Sequence, residues 1–165
     1  MKKGAIILLC LTMSLCSSTK VKGAVQCTNL ERATEIVKLV NEQEPELIEM
    51  NLTAYYRGTT TATGAQVKEG IAAVSSKNLG KIAIVYSKGE NGLPSEIIGI
   101  FDCLDTGGAG VKTGHTIDIY RTDLDRCQEL MDLVYENNAK GRVFVQFVDA
   151  VGEPTASFIS HKLKC

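Results

Sequence analysis

Three features of the sequence predict a mainly β domain, in the form of a small barrel with flanking helices. Apolar and polar residues alternate over residues 50–56, which is the period of a half-buried strand. Short apolar runs then recur with turn-like segments between them, and this spacing favours a barrel over a parallel α/β sheet. Helical periodicity is confined to one segment before the barrel and one segment inside it. The five further runs cover residues 71–74, 82–86, 97–101, 116–120 and 143–148, which makes six predicted strands.

The first predicted helix begins at residues 28–31, which read Thr-Asn-Leu-Glu and match a capping box with Glu31 at the third helical position. Pro45 ends this helix, because proline cannot continue the hydrogen-bonding pattern. Its apolar residues recur at helical spacing and predict one buried face: Leu30, Ala33, Ile36, Val37 and Val40.

The second predicted helix is inserted before the last strand. Residues 122–125, Thr-Asp-Leu-Asp, cap its start, and Gly141 follows its end. Polar segments join the other elements: residues 57–64 are rich in threonine and glycine and predict a loop, and residues 88–92 predict a turn. The apolar residues that predict the inner face of this helix are Leu124, Cys127, Leu130, Met131 and Val134.

The start of the chain has the layout of a secretory signal peptide. Lys2 and Lys3 precede an apolar core at residues 6–15, and residues 21–23 are a plausible approach to a cleavage site. The apolar core is too short for a comfortable membrane span, so the mature protein is predicted to be exported without one. The predicted division of the 165 residues is 1–23 signal peptide, 24–49 N-terminal helix, 50–150 barrel domain and 151–165 C-terminal tail.

The charge balance excludes some classes of partner. Without the four lysines of the predicted signal peptide, 14 of the 18 basic residues remain against 19 acidic ones, a net charge of −5. No basic stripe remains, so nucleic acid is not an expected partner. Attraction to an anionic surface through bulk charge is not expected either.

Four cysteines remain after the predicted cleavage, and an exported domain can oxidise them. Four cysteines allow three pairings. We expect Cys27–Cys165 to tie the ends of the chain, and for Cys103 and Cys127 a disulfide and a pair of buried free thiols are equally open. The spacing of the histidines, cysteines and carboxylates matches no metal site, so no metal is predicted.

The chemistry of the chain is concentrated in residues 101–120. Asp105 and Asp118 bracket a glycine-rich segment, and each adjoins the apolar residues of a predicted strand. An acid at such a strand end can be held rigidly and still meet water and a ligand, while glycines leave room for a bulky substrate to approach the backbone. Asp102 lies on the incoming strand, where the sequence indicates no partner for it.

Several motifs in this order resemble the 3D domain, a family named for three aspartates. They are the segment 55–64, which ends in Thr-Ala-Thr-Gly, then Gly-Ile-Ala-Ala-Val at 70–74, Asp-Thr-Gly-Gly at 105–108 and Ile-Asp-Ile-Tyr at 117–120. The family forms the double-psi β-barrel of membrane-bound lytic transglycosylase A and of secreted cell-wall proteins of Gram-positive bacteria. The resemblance covers about residues 50–150. Ser75 stands where the family usually has its first aspartate. The loop between Asp105 and Asp118 is two residues longer than in the commonest family pattern.

The resemblance implies a secreted or cell-wall-associated lytic transglycosylase that cuts the MurNAc–GlcNAc bond of peptidoglycan without a cofactor. It implies that Asp118 is the acid/base; Asp105 is then our candidate for the neighbour that raises the pKa of Asp118 or orients sugar hydroxyls. Thr63 is expected to hydrogen-bond to an acid or a sugar, and Gly107 and Gly108 to let substrate approach. An ordinary aspartate, with a pKa near 3.9, is ionised at neutral pH, so the site must raise that pKa.

Other interpretations remain open at this point. One of the aspartates can merely brace a turn by accepting backbone N–H bonds. The barrel can bind glycan without cutting it, as expansin-like barrels do, with Ser75 marking lost activity. Asp-Thr-Gly at residues 105–107 is also the signature of aspartic proteases. Those enzymes need two copies of this motif, whereas the sequence contains a single copy.

Overall fold

A computed structural model of the protein describes residues 30–136 and 140–150. Several predicted features lie outside the described residues. They are the signal peptide, the tail at 151–165, Cys27, Cys165 and the capping residue Thr28. The strands are β1 (Leu47–Tyr55), β2 (Ile71–Ala73), β3 (Ile82–Lys88), β4 (Pro94–Asp105), β5 (Thr116–Tyr120) and β6 (Arg142–Val148). The helices are α1 (Leu30–Gln43), α2 (Ala109–Lys112) and α3 (Leu124–Glu136).

The six strands form one sheet that closes into a ring. Their order is β1-β5-β2-β4-β3-β6, and β6 pairs with β1 to close the ring. The β1–β5 and β2–β4 pairs are parallel and the other pairs are antiparallel. The prediction of a mainly β fold with helices before the first strand and before the last strand is confirmed.

Two strands begin earlier than predicted, and β4 also continues beyond residue 101 to Asp105. β1 begins at Leu47 rather than at residue 50, and β4 begins at Pro94 rather than at residue 97. The first four residues of β4 are exposed and pair with β3 alone, so no buried face imposes an apolar pattern on them. The short helix α2 within the glycine-rich segment was not predicted.

The interior of the ring is filled by alternate residues of the strands. The residues between them point outward, as the two-residue period of a strand requires. Leu130 and Val134 of α3 join this interior cluster, which contains Phe101 and other fully buried side chains. Asp123 caps α3 as predicted, because its Oδ1 accepts the N–H of Arg126 at 2.9 Å.

Helix α1 packs against the outer face of the ring. Ile36, Leu39 and Val40 form a second cluster with Ile84 of β3 and Val148 of β6. The N-terminal helix is therefore a packing element on the opposite side of these strands from the interior cluster. The predicted inner face omitted Leu39, which is 3% exposed.

Cys103 and Cys127 are both free and buried, so of the two alternatives that the sequence left open the structure shows the free thiols. Cys103 lies in the interior cluster of the ring and Cys127 on the inner face of α3, where each behaves as a small apolar side chain. Burial raises the pKa of both thiols. Of the helices in the described part of the chain, none is long and apolar enough to cross a membrane.

Candidate functional site

Two carboxylates lie in one row of residues across four neighbouring strands. Thr53 of β1 is the register partner of Asp118 of β5, which is also the partner of Ala73 of β2. Ala73 is in turn the partner of Asp105 of β4. We call Thr53, Asp118, Ala73 and Asp105 the acid row. Register partners lie side by side on one face of a sheet, and two strand spacings place the backbones of the two aspartates about 10 Å apart.

The acid row lies on the outer face of the ring. Ile117 and Ile119 are buried in the interior cluster, so Asp118 between them points outward, as the alternation predicts. Ala73, the residue between the two aspartates, has the smallest side chain after glycine and is itself buried.

A bulge in β4 brings Asp105 to the same face. Ala72 pairs with Cys103, but Ala73 pairs with Asp105, so the register shifts by one residue at this point. In a regular strand, Asp105 would share the inward face with Cys103. The extra residue, Leu104, reverses that parity, and bulges often aim side chains in this way beside functional sites.

Asp118 is half-buried and has a raised pKa. Burial raises the pKa because it penalises the charged form, the hydrogen bond from Thr53 lowers it, and the nearby charge of Asp105 raises it again. Thr53 Oγ1 donates to Asp118 Oδ1 at 2.7 Å.

Asp105 accepts three hydrogen bonds and is held more firmly than Asp118. Its Oδ1 accepts the N–H of Ala62 at 2.9 Å and the N–H of Thr106, the next residue in the chain, at 2.8 Å. Its Oδ2 accepts the phenol of Tyr55 at 3.0 Å. Asp105 accepts bonds from two backbone N–H groups and a phenol, whereas Asp118 accepts a bond from the hydroxyl of Thr53. The surroundings of the two carboxyl groups therefore differ. Asp105 therefore braces its loop and also acts on Asp118 through its charge.

Thr53 and Tyr55 are contacts that the sequence did not reveal. Both lie on the outward face of β1, and the Tyr55 ring packs edge-on against Tyr120 at a centroid distance of 5.4 Å. Burial and the hydrogen bond to Asp105 raise the pKa of Tyr55, which keeps the phenol protonated as a donor. Their alternation with Leu52 and Ala54 marked them as solvent-facing, but only the pairing of β1 with β5 brings them to the aspartates.

The loop after β1 lies beside the acid row and contacts Asp105 through Ala62. Thr63 donates its hydroxyl to the carbonyl of Leu104 at 3.0 Å and shares a second hydrogen bond with Thr61. Thr63 therefore contacts backbone rather than a carboxylate, and the contact to Asp105 comes from the N–H of Ala62 instead. The far end of the loop is fixed by Glu69, which accepts from the buried Arg121 at 2.7 Å.

The two glycines after Asp105 have different surroundings. A Cβ on Gly107 would lie 2.7 Å from Cγ2 of Val111, so this glycine allows α2 to pack closely. A Cβ on Gly108 would meet nothing within 4 Å, so the space beside this exposed glycine is open. Gly107 therefore serves the packing of α2, and the approach of a substrate to the two glycines stays a prediction.

Ser75 follows β2 and is 5% exposed. Its Oγ is a buried side-chain atom without a hydrogen-bond partner among the described residues. A Cβ on Gly114 would lie 3.8 Å from this oxygen, so Ser75 lies against the glycine-rich segment. In the described part of the chain no three His, Cys, Asp or Glu residues are grouped to hold a metal ion.

The fold and the site together define a β-rich protein with an unequal pair of aspartates on the outer face of a closed ring. Compared with known proteins, the chain matches no family model and no curated protein.

Proposed function

We propose that this protein is a lytic transglycosylase that cleaves the MurNAc–GlcNAc bond of peptidoglycan, with Asp118 as its single acid/base. The observation that carries the proposal is the acid row, in which one half-buried aspartate with a raised pKa lies near a second aspartate that accepts three hydrogen bonds. We further propose that the ring is a double-psi β-barrel of the 3D-domain type and that the protein acts after export, as the predicted signal peptide suggests.

The chemistry needs one carboxyl group rather than two. Most glycosidases use one carboxyl to protonate the leaving oxygen and a second to attack or to activate water. In a lytic transglycosylase the C6 hydroxyl of the MurNAc residue attacks C1 of the same sugar, so proximity replaces the second group. The products are a 1,6-anhydro-MurNAc end and a free GlcNAc hydroxyl.

Asp118 is suited to that role by its protonation. Its raised pKa favours the neutral carboxylic acid that must first give a proton to the glycosidic oxygen. The resulting carboxylate then takes the proton of the C6 hydroxyl, which restores the acid. Asp105 remains charged in this scheme and stabilises positive charge that develops at C1.

Digestion of purified peptidoglycan tests the proposal. The mature protein is incubated with the glycan, and soluble products are analysed by mass spectrometry for 1,6-anhydro-muropeptides. We expect these products from the wild type and at least a thousandfold less from Asp118→Asn, because an amide cannot donate and recover the proton.

Asp125→Asn is the matched control, since Asp125 is an exposed aspartate in the first turn of α3 and is not a member of the acid row. It should release products at the wild-type rate. Circular dichroism and the melting temperature of each variant establish that the fold is intact. Full product release by a folded Asp118→Asn variant would refute the role of Asp118.

A second candidate function is glycan binding without cleavage. Ser75 favours it, because the resemblance puts an aspartate at this position and the serine hydroxyl has no partner among the described residues. Retention on insoluble peptidoglycan without any anhydro product would support this function and exclude the first.

A further inference from the structure

We propose that Thr53 is a positioning residue that keeps Oδ1 of Asp118 as a hydrogen-bond acceptor and so leaves Oδ2 to carry the proton used in the reaction. This inference rests on the proposed function for its catalytic meaning, but its structural content can be tested without any activity.

The register of two parallel strands fixes the contact. Thr53 and Asp118 are direct partners in the β1–β5 pair, and both side chains lie on the outer face of the ring. The 2.7 Å distance between Oγ1 and Oδ1 is short for a hydroxyl donor and typical of a bond to a carboxylate. Threonine is branched at Cβ and has few rotamers in a strand, so its hydroxyl is held in place at little entropic cost.

The contact makes the two oxygens of Asp118 unequal. A carboxyl oxygen that accepts a hydroxyl proton acts as the carbonyl oxygen of the neutral acid, and the acidic proton then resides on the other oxygen. The same bond also stabilises the ionised form, since a hydroxyl donates more strongly to a charged oxygen. Thr53 thus restrains the rise in the pKa of Asp118 that burial causes.

The ionisable groups around Asp118 have other interactions, so the hydrogen bond to its Oδ1 is assigned to Thr53. Asp105 on β4 raises the pKa of Asp118 by its charge, and Tyr55 on β1 donates its phenol to Asp105. Cys127 on α3 has a raised pKa through burial and remains a neutral thiol. Arg121, which follows β5, is paired with Glu69.

The test compares Thr53→Val with Thr53→Ser by carboxyl carbon NMR titration of the full chain. Valine keeps the shape and the strand preference of threonine but has no hydroxyl, whereas serine keeps the hydroxyl. We expect the titration midpoint of Asp118 to move to higher pH in Thr53→Val and to stay at the wild-type value in Thr53→Ser. A midpoint that is unchanged or lower in Thr53→Val would overturn the proposal, and so would a serine variant that behaves like the valine variant.

The activity assay gives a second readout. In Thr53→Val we expect the rate of product release to fall about ten- to a hundredfold at the wild-type optimum, because the proton is no longer confined to one oxygen. The alkaline limb of the pH profile should move to higher pH, and serine should restore both properties. If the wild type forms no anhydro product, the proposed function fails, while the titration still decides the role of Thr53.

Discussion

Asp118 destabilises the folded protein when it is ionised. Its pKa is higher in the folded state than in the unfolded chain, chiefly because of burial, so the folded state holds the proton more tightly. The free energy of unfolding therefore decreases as the pH rises from the unfolded pKa to the folded one, and stays at its lower value above both.

Asp118→Asn removes this pH-dependent cost. We expect the variant to match the wild type in stability below the unfolded pKa of about 3.9 and to become more stable than the wild type as the pH rises above it. Urea denaturation of both proteins at several pH values measures the difference. A difference that stays constant across this range would contradict the assignment of a raised pKa to Asp118.

For single residues, the orientation of a side chain could be predicted from the sequence, but its partners could not. The outward orientation of Asp118 could be predicted, because Ile117 and Ile119 flank it and a strand has a period of two. The partners Thr53 and Tyr55 could not be assigned, since they are distant in the chain and depend on which strands become neighbours.

At the scale of elements, the bulge in β4 is the feature that local pattern does not predict. The apolar run at residues 97–101 correctly marked the middle of this strand. A regular continuation of its alternation would have turned Asp105 inward, and only the extra residue opposite Ala73 brings it to the outer face. The strand itself was therefore predictable from sequence, and the aim of its last side chain was not.

Helix α1 should contribute to the stability of the ring through Leu39. This side chain is 3% exposed and packs in the cluster with Ile84 and Val148. We expect Leu39→Ala to lower the free energy of unfolding by about 2–4 kcal/mol, measured by urea denaturation.

The neighbouring substitution Lys38→Ala is the control for that measurement. The Lys38 side chain is 72% exposed and its ion pair with Glu42 is a surface pair, so its loss should cost about 0.5 kcal/mol or less. Equal effects of the two substitutions would mean that α1 does not pack on the ring in solution.

In the molecule as a whole, closure of the ring buries Cys103, and the packing of α3 buries Cys127. Cys103 and Cys127 contact the interior of the protein, and neither forms a disulfide. The sequence left this question open, because compartment and spacing do not tell whether two sulfur atoms lie close enough to bond.

Alkylation with iodoacetamide followed by peptide mapping checks the state of these cysteines. We expect neither Cys103 nor Cys127 to be modified in the native protein and both to be modified in denaturant without a reducing agent. Modification that requires prior reduction would indicate a disulfide and contradict the structure.

The acid row takes one residue from each of four strands, and these residues are spread from Thr53 to Asp118 along the chain. The row therefore forms only when β5 has paired with β1 and with β2, and β2 has paired with β4. An exported chain that has not yet folded would therefore carry no assembled acid row, and the proposed activity toward glycan would begin only after these four strands have paired.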